Sequence, residues 1–140
     1  MKLAKLSPIT MKRIKALSPP WQDVGNPVDI WPAHMVQKQP VIKVLTDALD
    51  AILNDYEVDA AILIWVVTTR QDCTQICQLL LKLAESHPDK PLICCIHGTY
   101  AEEAKNKLEA NGRIMVTYIP ERAIRALSHL ARYSAFRRGF

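Results

Sequence analysis

The chain has no uninterrupted apolar run of the ~18 residues that a membrane-spanning helix requires. Its longest such run, residues 60–67, is strand-sized. Glycine is scarce, at 4 of 140 residues beside 9 prolines, which excludes collagen-like and low-complexity chains. No GxGxxG or Walker-type loop occurs, so an independent nucleotide-binding signature is lacking and a kinase or dehydrogenase is disfavoured. No Ser, Cys or Asp stands in a nucleophile-elbow context, which argues against a stand-alone hydrolase. What is present is 49% hydrophobic and 23% charged, the balance of one globular domain of 140 residues. A chain of this size buries roughly two thirds of the surface exposed when unfolded, enough to fold without a disulfide or metal staple.

The four cysteines are Cys73, Cys77, Cys94 and Cys95. Cys73 and Cys77 share a helix face, whereas adjacent residues in a strand point to opposite sides of a sheet. That geometry opposes a four-thiol metal site, and reduced core thiols are expected. The basic N-terminus is interrupted by Pro8, Thr10 and Lys12-Arg13 before any secretory h-region, so a cytoplasmic protein is expected. Residues 1–15 carry five positive charges and no acid, and residues 120–140 carry five Arg and one Glu. Charge gathered at both ends, without a basic-plus-aromatic motif, reads as solvated termini, so neither nucleic acid nor membrane is an expected partner.

Apolar spacing predicts a helix over 10–17 capped by Thr10, with Ile14 and Leu17 on one side, then a long loop over 19–40. A strongly amphipathic helix follows at 40–54, its stripe running through Val44, Leu45, Ala48 and Leu49. Residues 60–67 predict a strand buried on both faces, 72–86 a helix, 91–96 a buried strand, 101–110 a helix closed by Asn111-Gly112, and 114–119 a strand. Pro120 opens a last helix with Ala123, Ile124, Leu127 and Leu130 in its stripe. Residues 28–30 are expected to add a short strand. The whole reads as a single domain, with an N-terminal helical segment over 1–18 and a basic tail over 134–140. Strands joined by single helices require right-handed crossovers, hence a parallel, doubly wound α/β sheet.

In such folds the strand-to-helix loops form the ligand-facing rim. Residues 29–39, 68–72, 97–100 and 119–120 are expected there, with His34 and His97 on that side. Thr68, Thr69 and Asp72 suit either anion contact or simple capping of the helix they open. Trp21, Trp31 and Met35 in the long loop either form a docking surface or anchor that loop.

Pro19-Pro20-Trp21-Gln22-Asp23-Val24-Gly25-Asn26-Pro27-Val28-Asp29-Ile30 is a specific string. With Asp55-Tyr56-Glu57-Val58-Asp59, Asp89-Lys90-Pro91, Gly98 and Ile119-Pro120-Glu121-Arg122-Ala123-Ile124-Arg125, the chain resembles the NDP-forming acyl-CoA synthetases, relatives of succinyl-CoA synthetase. The resemblance covers nearly the whole chain and is to their flavodoxin-like ligase domain. It implies a three-layer α/β/α sandwich, taking part in conversion of an acyl-CoA, ADP and phosphate to the acid, CoA and ATP through a phosphohistidine. That histidine would lie on a partner CoA-binding domain, and an ATP-grasp domain would complete the enzyme. CoA, ADP or ATP, and Mg would belong to the full enzyme, with no cofactor and no metal held by this domain alone. The resemblance also implies that this domain lends a helix N-terminus to the phosphohistidine loop. The matching positions are Thr68, Thr69, Arg70, Gln71 and Asp72, with His97, Gly98 and Thr99 on a second loop. Asn26, Pro27 and Asp29 would orient the long loop, although Asp29 equally suits a turn residue. A non-catalytic ligand-sensing or interaction module, as in acyltransferase fusions of the same domains, would share this fold.

Overall fold

The computed structural model describes residues 1–139. It divides into two compact units, Lys2–Asp59 and a second from Ala60 onward. The end of the expected basic tail, residue 140, lies outside the described residues.

The first unit is helical. Helix α1, Pro8–Leu17, begins two residues before the expected start. Ser7, not Thr10, is its cap: the Ser7 hydroxyl accepts the Thr10 N–H at 3.3 Å, and Pro8 supplies a preset first-turn φ. Thr10 is instead buried in the first turn, its hydroxyl 3.4 Å from the Ala51 carbonyl. The expected loop contains helix α2, Trp31–Gln37, with Pro32 in its first turn and Lys38 closing it in the left-handed region at φ 49°. Pro32 thus opens a helix inside the segment expected to be loop. Helix α3, Val41–Leu53, buries the expected Val44, Leu45, Ala48 and Leu49.

The expected strand at 28–30 does not form. Val28 and Ile30 pack against a cluster of Ile14, Val24, Ala48 and Ala51, so their alternation reflects burial on helices and not a ladder. Pro27, at the start of the segment, has no N–H to give a sheet, and the Trp31 N–H is taken by the Asp29 carboxylate.

The second unit alternates strictly: β1 Ala61–Val66, α4 Arg70–Ser86, β2 Leu92–His97, α5 Ala101–Glu109, β3 Ile114–Thr117 and α6 Pro120–Arg137. The strands are all parallel in the order β1-β2-β3, with Ile64 beside Cys95 and Cys94 beside Val116. Ile93 and Cys95 pack against Ala123 and Leu127 of α6. Cys94 points the other way, toward Cys77 of α4, whose thiol lies 3.9 Å from the Ala104 carbonyl of α5. Helices α4 and α5 therefore cover one face and α6 the other, which is the expected three-layer, parallel α/β/α sandwich.

One strand departs from expectation. β2 is buried from Leu92 to Ile96, but β1 is not covered on both faces, since Ile64 is 59% and Val66 56% exposed. β1 is an edge strand, and the single helix on that side packs over the middle of the sheet. An apolar run does not say which strand is central.

Candidate functional site

The rim of the second unit is built where β1 and β2 end side by side. The Val67 N–H donates to the His97 carbonyl at 2.8 Å, and the Tyr100 N–H reaches back to the Val67 carbonyl at 3.4 Å. Gly98 makes this closure possible. Its φ is +104°, and a Cβ there would lie 2.2 Å from the Val67 carbonyl oxygen. The two loops are thereby zipped, which brings exposed Thr68, Thr69, Arg70 and Gln71 together with exposed His97, Gly98 and Thr99.

Local sequence also sets the start of α4. The Thr69 hydroxyl accepts the Asp72 N–H at 3.1 Å while the Thr69 N–H donates to the Asp72 carboxylate at 3.2 Å. This reciprocal box needs a hydroxyl and an acceptor three residues apart. Thr68 adds a longer hydroxyl contact to the same carboxylate at 3.4 Å. Two consequences follow for chemistry. The first-turn amides of Arg70 and Gln71 remain as outward donors at the positive end of a 17-residue helix. Asp72, in contrast, spends its carboxylate on the cap and places a negative charge at the same helix end.

Arg70 is steered by neighbours that the spacing of the sequence did not indicate. Its guanidinium lies 3.5 Å from Glu103 and 5.5 Å from the centre of the Tyr100 ring. Glu103 in turn pairs with Lys107 at 2.7 Å, and this partner holds its carboxyl below the usual range. At the end of β3, the Tyr118 hydroxyl donates to Glu102, with Lys105 5.6 Å from the ring centre. That hydrogen bond raises the Tyr118 pKa and keeps the phenol protonated. A tyrosine just past the end of each of β2 and β3 was the available signal for these residues.

The remaining candidates lie in the first unit. Asn26, whose peptide bond to Pro27 is cis, donates from its side chain to the Ala4 carbonyl at 3.0 Å. The Asp29 carboxylate accepts the Trp31 N–H at 3.0 Å, and its carbonyl accepts Gln22 at 2.7 Å, so Asp29 anchors the entry to α2. His34 stands in α2 and not in a loop; its Nδ1 carries the proton, donated to the Gln39 carbonyl at 2.9 Å. Trp21, Trp31 and Met35 are all exposed, at 74, 57 and 67%. Among the described residues no cluster of three or more His, Cys, Asp or Glu side chains could hold a metal. Nor is any described helix long and apolar enough to cross a membrane.

The chain is homologous to one segment of the ADP-forming acetate–CoA ligases. It is 30% identical over 144 residues to acetate–CoA ligase [ADP-forming] II of Archaeoglobus fulgidus, a match covering 96% of this chain and 19% of that protein. Acetate–CoA ligase [ADP-forming] I of the same organism is 28% identical over 132 residues, covering 94% of this chain and 17% of the relative. The chain thus spans about a fifth of the length of the curated relatives it matches. No family model and no solved structure matches it. Most of the length of each relative lies outside the part matched here.

Proposed function

We propose that the chain is the ligase-domain part of an ADP-forming acyl-CoA synthetase, incomplete as an enzyme without CoA-binding, phosphohistidine and ATP-grasp domains. The observation that carries this reading is similarity along 96% of the chain to one fifth of an acetate–CoA ligase. The reaction of such an enzyme converts an acyl-CoA, ADP and phosphate to the acid, CoA and ATP. In it, the rim of the second unit supplies one wall of the site. The Arg70 and Gln71 amides at the start of α4 face the phosphoryl group carried by the partner histidine. Thr68, Thr69, His97 and Thr99 border that contact, and Gly98 holds the two loops together.

A second reading, a non-catalytic module that senses a ligand or docks a partner, draws on a different observation. The Asp72 carboxylate already occupies the end of α4 where an anion would approach. Reconstitution separates the two. The purified chain is mixed with A. fulgidus ligase II from which the matching segment has been removed and whose remaining domains are folded by circular dichroism. ATP formation is then followed from acetyl-CoA, ADP and phosphate. The ligase reading expects no activity from either component, activity from the mixture, and no calorimetric CoA binding by the chain alone. Tight CoA binding by the isolated chain with no activity in the mixture would establish the sensing module instead.

A further inference from the structure

Helix α6 carries Arg122, Arg125, Arg132 and Arg137 against a single acid, Glu121, and it has no lysine. At 3.6 residues per turn, Arg122, Arg125 and Arg132 fall within an arc of about 80° and along about 15 Å of the axis. This arc lies opposite Ala123 and Leu127, the two residues of α6 that are buried. All three arginines are exposed, and none forms an ion pair among the described residues. Charge that reads in the sequence as a solvated terminus is thus gathered on one rigid helix face.

The same helix leaves large apolar groups bare. Beyond Leu127 nothing in α6 is buried, and Leu130, Tyr133 and Phe136 are 44, 59 and 78% exposed. Phe136 falls inside the arginine arc and Tyr133 about 20° outside it. A helix that lies in a lipid surface segregates its apolar and charged faces, which this one does not. A single-stranded nucleic-acid platform sets its aromatic side chains along a positively charged groove, whereas Tyr133 and Phe136 stand with the arginines on the convex outer side of one helix. Arginine and aromatic side chains intermixed, with lysine absent, are the composition of a protein–protein contact.

We infer that the outer face of α6 docks an acidic face of a partner protein domain, with Arg122, Arg125 and Arg132 pairing carboxylates around Tyr133 and Phe136. The inference rests on the split-site reading above, since the acetate–CoA ligase relatives are about five times longer than the part matched here and so hold candidate domains. Unpaired guanidinium groups fit carboxylates, and a bidentate pair also fixes the orientation of the partner.

The test measures binding of the chain to the folded remainder of A. fulgidus ligase II by calorimetry. Three variants are compared: R122E/R125E/R132E, Y133A/F136A, and K82E on the exposed side of α4 as a control. All positions are exposed, and each variant is first checked for an unchanged thermal melt. The expected result is a loss of at least about tenfold in the first two, none in the control, and weakening of the parent chain as salt is raised to 1 M. Parent-like affinity in the arginine variant overturns the proposed face while leaving the split-site reading intact. No binding by the unsubstituted chain overturns both. A fluorescent 20-nucleotide RNA, or phosphatidylserine vesicles, bound through the same arginines while ligase binding is unaffected would also overturn it in favour of a polyanion.

Discussion

The Asp55 carboxylate accepts the backbone N–H of Ser7 at 2.8 Å, joining residues 48 positions apart in the sequence. Its other oxygen accepts the Glu57 N–H at 2.9 Å. Asp55 is 2% exposed, so both amides depend on it and not on water. Asp55→Ala is expected to cost about 1–3 kcal/mol, the penalty of leaving a buried donor unmade. Asp55→Asn, which keeps an acceptor oxygen, should cost less. Chemical denaturation of both variants checks the order; an Ala variant as stable as the parent would show that the start of α1 is held by other contacts.

The same carboxylate makes stability depend on pH. Burial pushes its pKa up, but the Glu57 N–H, the Thr10 hydroxyl, and the Ser7 N–H and hydroxyl outweigh that and hold it at about 2. An unfolded Asp titrates near ~4, so the folded form has the lower pKa. Its contribution is therefore fully present above about pH 4 and is lost as pH falls toward 2. Urea midpoints between pH 2 and 6 should fall on acidification in the parent and fall less in the Asp55→Asn variant. Parallel curves for the two proteins would remove Asp55 as the cause.

Gly98→Ala addresses the rim. A methyl at φ +104° meets the Val67 carbonyl at 2.2 Å, and that oxygen belongs to backbone which cannot turn aside. The loops must part, and a loss of about 2–4 kcal/mol is expected, combining left-handed strain with the clash. Gly112→Ala is the comparison. It also has positive φ, at +70°, but nothing lies within 4 Å of its added carbon, so only the smaller conformational cost applies. Thermal melts that ranked Gly112→Ala as the worse variant would contradict the close approach at Gly98.

These contacts show which parts of the structure a sequence can reveal. Val44, Leu45, Ala48 and Leu49 repeat with helical spacing, so α3 is readable by period alone, whereas the apolar runs of β1 and β2 read alike although only β2 is buried from Leu92 to Ile96. The pair Thr69 and Asp72 is readable as a cap because both partners belong to one turn. Helix α2 is only 7 residues long, too short to show a period, and Pro32 carries the same letter whether it opens a helix or breaks one. Val28 and Ile30 alternate as a strand does, yet bury against helices. The exposure of Ile64 and Val66, and the grip of Tyr100 and Glu103 on Arg70, depend on neighbours that only the tertiary fold brings close.

Thr69→Ala tests how far the cap, apart from any ligand, sets the start of α4. It removes the hydroxyl that accepts the Asp72 N–H, at an expected cost of about 1 kcal/mol, and Thr69→Ser should restore most of it. Amide hydrogen exchange over the first turn of α4 reports the loss locally. If exchange rises along the whole helix instead, the box holds the helix to the rim and does more than cap it.

The four cysteines give the last expectation. All are buried and unpaired in disulfides. Burial pushes the Cys77 thiol up to about 12, with Cys73 beside it adding to the rise. Burial also raises Cys94, helped by Cys95 and Cys77, and raises Cys95, helped by Glu121. The thiolate is the reactive form, and a thiol at that pKa is ionised to only about one part in ten thousand at pH 8. Reagent must also reach it, which requires the sheet and helices to open. Native chain treated with a chromogenic disulfide at pH 8 is therefore expected to stay unlabelled on the timescale of minutes, and to titrate four thiols at once in guanidinium. Rapid labelling of one thiol in the native protein would mean that α4 or α6 lifts from the sheet without global unfolding. Labelling confined to Cys95 would place that opening at α6, because Cys95 lies beneath Ala123 and Leu127. Labelling of Cys73 or Cys77 would place it between α4 and α5, where their thiols meet the Tyr100 and Ala104 carbonyls.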